Sequence, residues 1–191
     1  MSRLLEQYRK EVVPKMMERF GYKNPLAVPR LEKIVVNMGV GKAIAEKTRL
    51  DAAVTDLAAI TGQHPLITRA KKSISAFHVR EKMPVGCCVT LRGRRMYEFL
   101  DRLINVVIPR IRDFRGLSRT FDGHGNYGMG LDEQVAFPEV SVDKVQHIQG
   151  MNIILVVRNS NDEESYELLR LLGMPFARDQ SPETGRPAKV G

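Results

Sequence analysis

The segment KIVVNMGVG, from Lys33 to Gly41, alternates in character. Ile34, Val36 and Met38 fall on one side of an extended chain, and Lys33, Val35 and Asn37 fall on the other. A second segment, VGCCVTLRG, repeats the pattern, with Val85, Cys87, Val89 and Leu91 opposite Gly86, Cys88, Thr90 and Arg92. Strands with one apolar face and one small or polar face belong to a sheet covered on one side only. The predicted class is therefore α+β: a mostly antiparallel sheet, helices on one face, and an open face where Lys33, Asn37, Thr90 and Arg92 stand together.

The covering helices show the other period. Leu4, Tyr8, Val12, Met16 and Phe20 recur every four residues, across a Pro14 expected to kink the helix. Leu50, Val54, Leu57 and Ile60 mark a second helix ending at Gly62, and Met96, Phe99, Leu100, Leu103 and Val107 a third, closed by Pro109. Ser160, Asn161 or Asp162 caps a fourth, packed through Leu168, Leu169 and Leu172 and stopped by Gly173 and Pro175. PLIT, from Pro65 to Thr68, reads as a short strand, and MNIILVVRN, from Met151 to Asn159, as a strand largely buried on both faces. From Arg110 to Gly130 there is no period but many glycines and arginines, which predicts an ordered functional loop. A single domain over 1–177 is expected, with a tail over 178–191 that has almost nothing to bury and is expected to be disordered.

Charge is distributed unevenly along the chain. The net +8 resolves into +4 for Met1 to Leu66, +9 for Ile67 to Arg119 (13 bases against 4 acids) and −5 for the remainder. Within the middle part, Arg69, Lys71, Lys72, Arg80 and Lys82 face one acid, Glu81, in a loop between two strand candidates. Such clustering attracts polyanions. Short polar side chains on a rigid sheet suit ribose hydroxyls and base edges in the shallow RNA minor groove, so RNA is the predicted partner class. Phe77, near the loop tip, either stacks on a base or tucks back into the domain. No run is long enough for a membrane span, and the mixed-charge start is unlike a signal peptide, so the chain is expected to stay in the cytoplasm with no membrane partner.

Other chemistry is thinly supported. The stretch from Gly39 to Lys42, GVGK, lacks both the four-residue spacer and the following Ser or Thr of a P-loop. A nucleotide-binding enzyme using that loop is kept as the alternative function, but a turn able to meet an RNA phosphate is the better reading. Cys87 and Cys88 point to opposite faces, one a core thiol and one a surface thiol, and cannot share a metal. His64, His78, His124 and His147 are scattered, so no catalytic residue, metal site or cofactor is predicted.

At KIVVNMGVG, TGQHPLIT, VTLRG, PRIRDFRGL and FDGHGNYGMG the chain closely resembles large-subunit ribosomal protein five, the bacterial 5S-rRNA-binding family, from about Leu4 to Phe176. The resemblance implies a structural, non-catalytic role in translation: attachment of 5S rRNA in the central protuberance of the large ribosomal subunit, contact with P-site tRNA, and a bridge to a small-subunit head protein. Large-subunit rRNA and neighbouring large-subunit proteins are implied as further partners. Carried over by residue, the 5S-rRNA surface comprises Asn37, Met38, Gly39, Gln63, Thr68, Thr90 and Arg92, with Lys33 beside them on the open face. Lys71, Lys72, Ser73, Phe77 and Arg80 match the loop that faces P-site tRNA. Arg112, Arg115, Asn126 and Tyr127 match the portion at the subunit interface.

Overall fold

The computed structural model describes residues 2–44, 46, 48–141, 145 and 147–177, so the expected tail over 178–191 lies outside the described residues. The first alternating segment is strand β1 (Arg30–Gly39). Ile34, Val36 and Met38 are fully buried on one face, while Lys33, Val35 and Asn37 are half-buried on the other. The second is β3 (Pro84–Leu91), where Cys87, Val89 and Leu91 are buried and Cys88 and Thr90 half-buried. With β2 (Leu66–Arg69), β4 (Tyr127–Leu131) and β5 (Met151–Arg158), they form an antiparallel sheet in the order β2-β3-β1-β5-β4.

Two expectations fail here. The segment from Arg110 to Gly130 is not loop throughout, because its last residues form the edge strand β4, with Tyr127, Met129 and Leu131 buried and Gly128 and Gly130 exposed. Nor is β5 buried on both faces: Asn152 and Ile154 are exposed and Val156 half-buried. Aliphatic side chains here line an uncovered face, which residue type alone does not reveal.

Four helices cover the other face. Helix α1 (3–20) joins Arg3–Gln7 to Val13–Phe20 through a π turn, Tyr8–Val12, and α3 (93–110) joins Gly93–Arg102 to Ile108–Arg110 through another, Leu103–Val107. Each π turn ends two residues before a proline, Pro14 or Pro109, which has no N–H and whose ring crowds the preceding turn. Val13 donates to Tyr8 O and Ile108 to Leu103 O, so the helix widens instead of breaking. Pro109 therefore does not close α3, which continues to Arg110. Helix α2 (Thr48–Thr61) ends at Gly62, whose φ of +64° suits glycine. Asn161 caps α4 (Asp162–Leu171) in a reciprocal box with Glu164.

The layers are joined by contacts of several kinds. Tyr8 of α1 lies 6.5 Å from the Tyr97 ring of α3, and Phe99 stacks on Phe137 at 5.8 Å. Glu167 of α4, 3 % exposed, accepts from Arg19 of α1 at 2.6 Å and from Arg170 at 2.8 Å. Removing both cations would leave a buried carboxylate uncompensated.

Candidate nucleic-acid interface

Strand register places the open-face residues in rows across the sheet. Asn37 stands between Cys88 of β3 and Asn152 of β5, and Val35 between Thr90 and Ile154. One row along, Gly39 is opposite Gly86, which is itself opposite Thr68. At the other end Lys33 is opposite Val156. No acid stands among these residues.

The predicted sheet set is thus brought together. Lys33, Asn37, Thr68 and Thr90 are half-buried with no helix above them, Gly39 is exposed, and Gln63 borders β3 with its Nε2 3.5 Å from Thr90 O. Met38 is the correction: its side chain is 0 % exposed in the core, so it offers an outside partner only its main chain. Gly86 is needed for close strand approach, since a Cβ there would lie 2.5 Å from Met38 O and 3.1 Å from Thr68 Oγ1. At Gly39, Gly128 and Gly130 the same atom meets nothing closer than 3.7 Å, so these glycines leave bare backbone facing outward. Asn152, Ile154, Gly128 and Gly130 widen the face beyond the set read from sequence. The period-two alternation of YGMGL was the available signal for β4.

Positive charge borders this face. Arg92 is the N-cap of α3 without a side-chain cap bond, and Arg94 and Arg95 follow, with no acid in the first turn. A helix N-terminus already carries partial positive charge, so three guanidiniums there favour an anion from outside. Arg94 is paired with Glu98 at 2.8 Å, and Arg92 and Arg95 are exposed.

The basic loop is a hairpin extension of β2 and β3. Ala70 donates to Met83 O and Lys82 to Ala70 O, both at 2.9 Å, and Ile74 and Val79 pair nearer the tip, which is a short 3-10 turn, Ser75–Phe77. Lys71, Lys72 and Arg80 are exposed, and among the described residues no ion pair reaches them. Ser73 Oγ accepts the Glu81 N–H at 2.9 Å, so it also braces the loop. Phe77 is 68 % exposed and does not tuck back into the domain.

The third predicted set is not collected into one surface. Arg112 and Arg115 are exposed, and Arg112 lines a cavity of about 370 Å³ with Arg110, Leu131, Asp132 and Glu133. Its two carboxylates offset its two guanidiniums, so that cavity offers no net positive charge to a phosphate. Asn126 is half-buried, donating from Nδ2 to Asp122 Oδ2 at 2.7 Å. Tyr127 is the second correction. It is 1 % exposed, packs at 5.1 Å from Phe121 and 5.5 Å from Phe176, and donates its hydroxyl to Ser118 O at 2.8 Å. Burial pushes its hydroxyl pKa up to about 12, and a ring so enclosed has no outward surface. Phe121, Tyr127 and Phe176 thus fasten the loop to the domain.

The thiols divide as predicted: Cys87 is fully buried, burial first and Cys88 second pushing it up to about 11, while Cys88 is half-buried on the open face beside Asn37. In the GVGK stretch Gly39 ends β1 and Gly41 and Lys42 open a four-residue 3-10 turn, Gly41–Ile44, not the long phosphate loop and helix a nucleotide enzyme needs.

Comparison with known proteins finds family models and relatives that span most of the chain. A model for ribosomal protein L5 matches residues 24–80, and one for the ribosomal L5P family C-terminus matches 84–176. Large ribosomal subunit protein uL5 of Clostridium botulinum (strain Loch Maree / Type A3) is 59 % identical over 179 residues, 93 % of this chain and 99 % of that one. The protein of the same name from Clostridium tetani (strain Massachusetts / E88) is 57 % identical over 176 residues, 92 % and 98 % respectively. The sheet draws β1 and β2 from the first matched segment and β3, β4 and β5 from the second. The chain belongs to the ribosomal protein L5 family and is a large-subunit ribosomal protein, not an enzyme.

Proposed function

We propose that the open sheet face binds 5S rRNA and attaches it in the central protuberance of the large subunit. The observation that carries this reading is the helix-free face holding Asn37, Thr90, Lys33 and Thr68 on rigid strands, with Arg92 at its border and Glu32 exposed at the bulged end of β1. Half-buried side chains on fixed backbone lose little freedom on binding, and bare glycine backbone admits close approach of a ribose edge. The basic hairpin, with Lys71, Lys72, Ser73, Phe77 and Arg80, reaches toward P-site tRNA, its cations meeting phosphates and its exposed ring stacking. The portion carrying Arg112, Arg115 and Asn126 meets the small-subunit head protein, consistent with a mixed-charge surface rather than a purely basic one. Large-subunit rRNA and neighbouring proteins complete the surroundings.

Cys88 supplies a native probe. At about pH 8 a thiol-alkylating reagent should modify Cys88 and spare the buried, high-pKa Cys87. Saturating 5S rRNA is expected to protect Cys88, while an equal mass of unrelated duplex RNA does not. Equal labelling with and without bound 5S rRNA would rule out this face as the docking surface.

A further inference from the structure

Strand β1 outruns its neighbour β5. Its register with β3 continues to Gly39 opposite Gly86, whereas its register with β5 ends at Asn37 opposite Asn152. Val40 donates its N–H to Val85 O at 2.9 Å and so faces β3. By alternation, the Gly39 carbonyl points to the other side, where β5 would continue. There the Gln149 side chain stands in for the missing strand, its Nε2 donating to Gly39 O at 3.0 Å and to Gly150 O at 3.2 Å. A main-chain acceptor that would otherwise lack a ladder partner is thereby satisfied.

Gln149 is itself held from below. Gln134, 0 % exposed, accepts the Gln149 N–H on Oε1 at 2.6 Å and donates from Nε2 to His147 O at 2.7 Å. One buried amide thus bonds the main chain of 147 and 149 as an adjacent strand would. From the same segment, His147 Nε2 lies 3.7 Å from Glu46 Oε1, and Glu46 donates its N–H to Lys42 O. The segment therefore lies against the turn after β1 at both ends, by the Gln149 hydrogen bond at Gly39 and by the His147 approach to Glu46, an ion pair only when the imidazole is protonated. Between those contacts lies Lys42, exposed and, among the described residues, without an ion pair.

We propose that Gln134 and Gln149 are positioning residues for RNA binding: acting in series, they fix the turn from Gly39 to Lys42 so that Lys42 meets an RNA phosphate at the edge of the open face. Neither glutamine needs to touch RNA. The proposal rests on the RNA-binding reading of that face, and its consequence for the free protein can be measured separately.

Two measurements on Gln149→Ala test it. In the free protein, hydrogen exchange at the Val40 and Ala43 amides is expected to quicken by about fivefold, the equivalent of one lost hydrogen bond, while Val35 and Val36 keep their wild-type rates. With a labelled 5S rRNA transcript, Lys42→Ala should flatten the plot of log affinity against log salt by about 0.7 to 0.9, one phosphate contact. Gln149→Ala should remove most of the same slope and add nothing in a Lys42→Ala background. A merely structural role would lower affinity with the slope unchanged and add to the Lys42 effect. Unchanged exchange at Val40 and Ala43, or an unaltered slope, overturns the proposal. If the wild type fails to bind the transcript, the reading of the face falls, and the exchange result alone decides whether the glutamines hold the turn.

Discussion

Replacing Asn37 and Thr90 with alanine removes two polar side chains from the middle of the open face. Asn37 is opposite Cys88 and Thr90 opposite Val35, so the pair is offset by one strand and two residues, a diagonal of about 7–8 Å. No single RNA group hydrogen-bonds both at that separation, and their contributions should add. At roughly 1 kcal/mol net per hydrogen bond, each single variant binds 5S rRNA about fivefold more weakly and the double variant about thirtyfold, or ~2 kcal/mol. Among the described residues neither side chain has a hydrogen-bond partner within the chain, so stability should change by no more than about 0.5 kcal/mol. Fluorescence anisotropy with labelled 5S rRNA at one stated salt concentration reads the affinity, and a thermal melt reads the fold. A double variant that melts like wild type and binds within about twofold of it would refute the reasoning.

Other consequences follow from the same geometry. Alanine at Lys71, Lys72 and Arg80 should leave 5S rRNA affinity unchanged and alter chemical probing of P-site tRNA on ribosomes; loss of 5S rRNA binding instead would move the hairpin into the sheet interface. Gly86→Ala forces a Cβ to within 2.5 Å of Met38 O and should cost about 1–3 kcal/mol in urea unfolding. Gly128→Ala meets nothing within 4 Å, so it should leave stability unchanged while weakening RNA binding; the opposite ranking of the two would count against the register described. The Asp122 carboxylate, bonded by Asn126 Nδ2 and then by the His124 and Asn126 amides, is held below its usual range. Its folded pKa is depressed, so its stabilisation of the loop is complete above the unfolded value of about 3.9 and is lost as pH falls through the folded one. Amide shifts of His124 and Asn126 should hold at pH 4 and collapse only below it, and a collapse above pH 4 would contradict the hydrogen-bond assignment.

The strands with mixed faces were the most legible part of the sequence. In β3 the apolar and the small or polar sets alternate cleanly, and in β1 only Val35 departs from the alternation; with the helix periods, these faces give the fold class, the open face and the positions of Asn37 and Thr90. β4 was hidden because Gly128 and Gly130 occupy its outward positions, and glycine in a strand normally signals a break. β5 misled in the opposite direction: Ile154 and Val156 are what a buried strand would carry, but they stand on an uncovered surface. Tyr127 is placed at the subunit interface by the resemblance alone, and its position among glycines and arginines gives no sign that it is buried. Its partners Phe121 and Phe176 come from segments whose proximity only the folded chain reveals. The glutamine pair behind Gly39 had no local signal, since Gln134, Gln149 and Gly39 are far apart in sequence and meet only because β5 stops short of β1.

The central claim is that the uncovered sheet face is where RNA docks. Ultraviolet cross-linking of the chain to RNA in assembled large subunits, followed by mass spectrometry of nucleotide-bearing peptides, tests it most directly. The account predicts 5S rRNA adducts on peptides containing Asn37, Cys88 and Thr90. Adducts to 5S rRNA confined to peptides of α1 and α4, on the covered side, would contradict it.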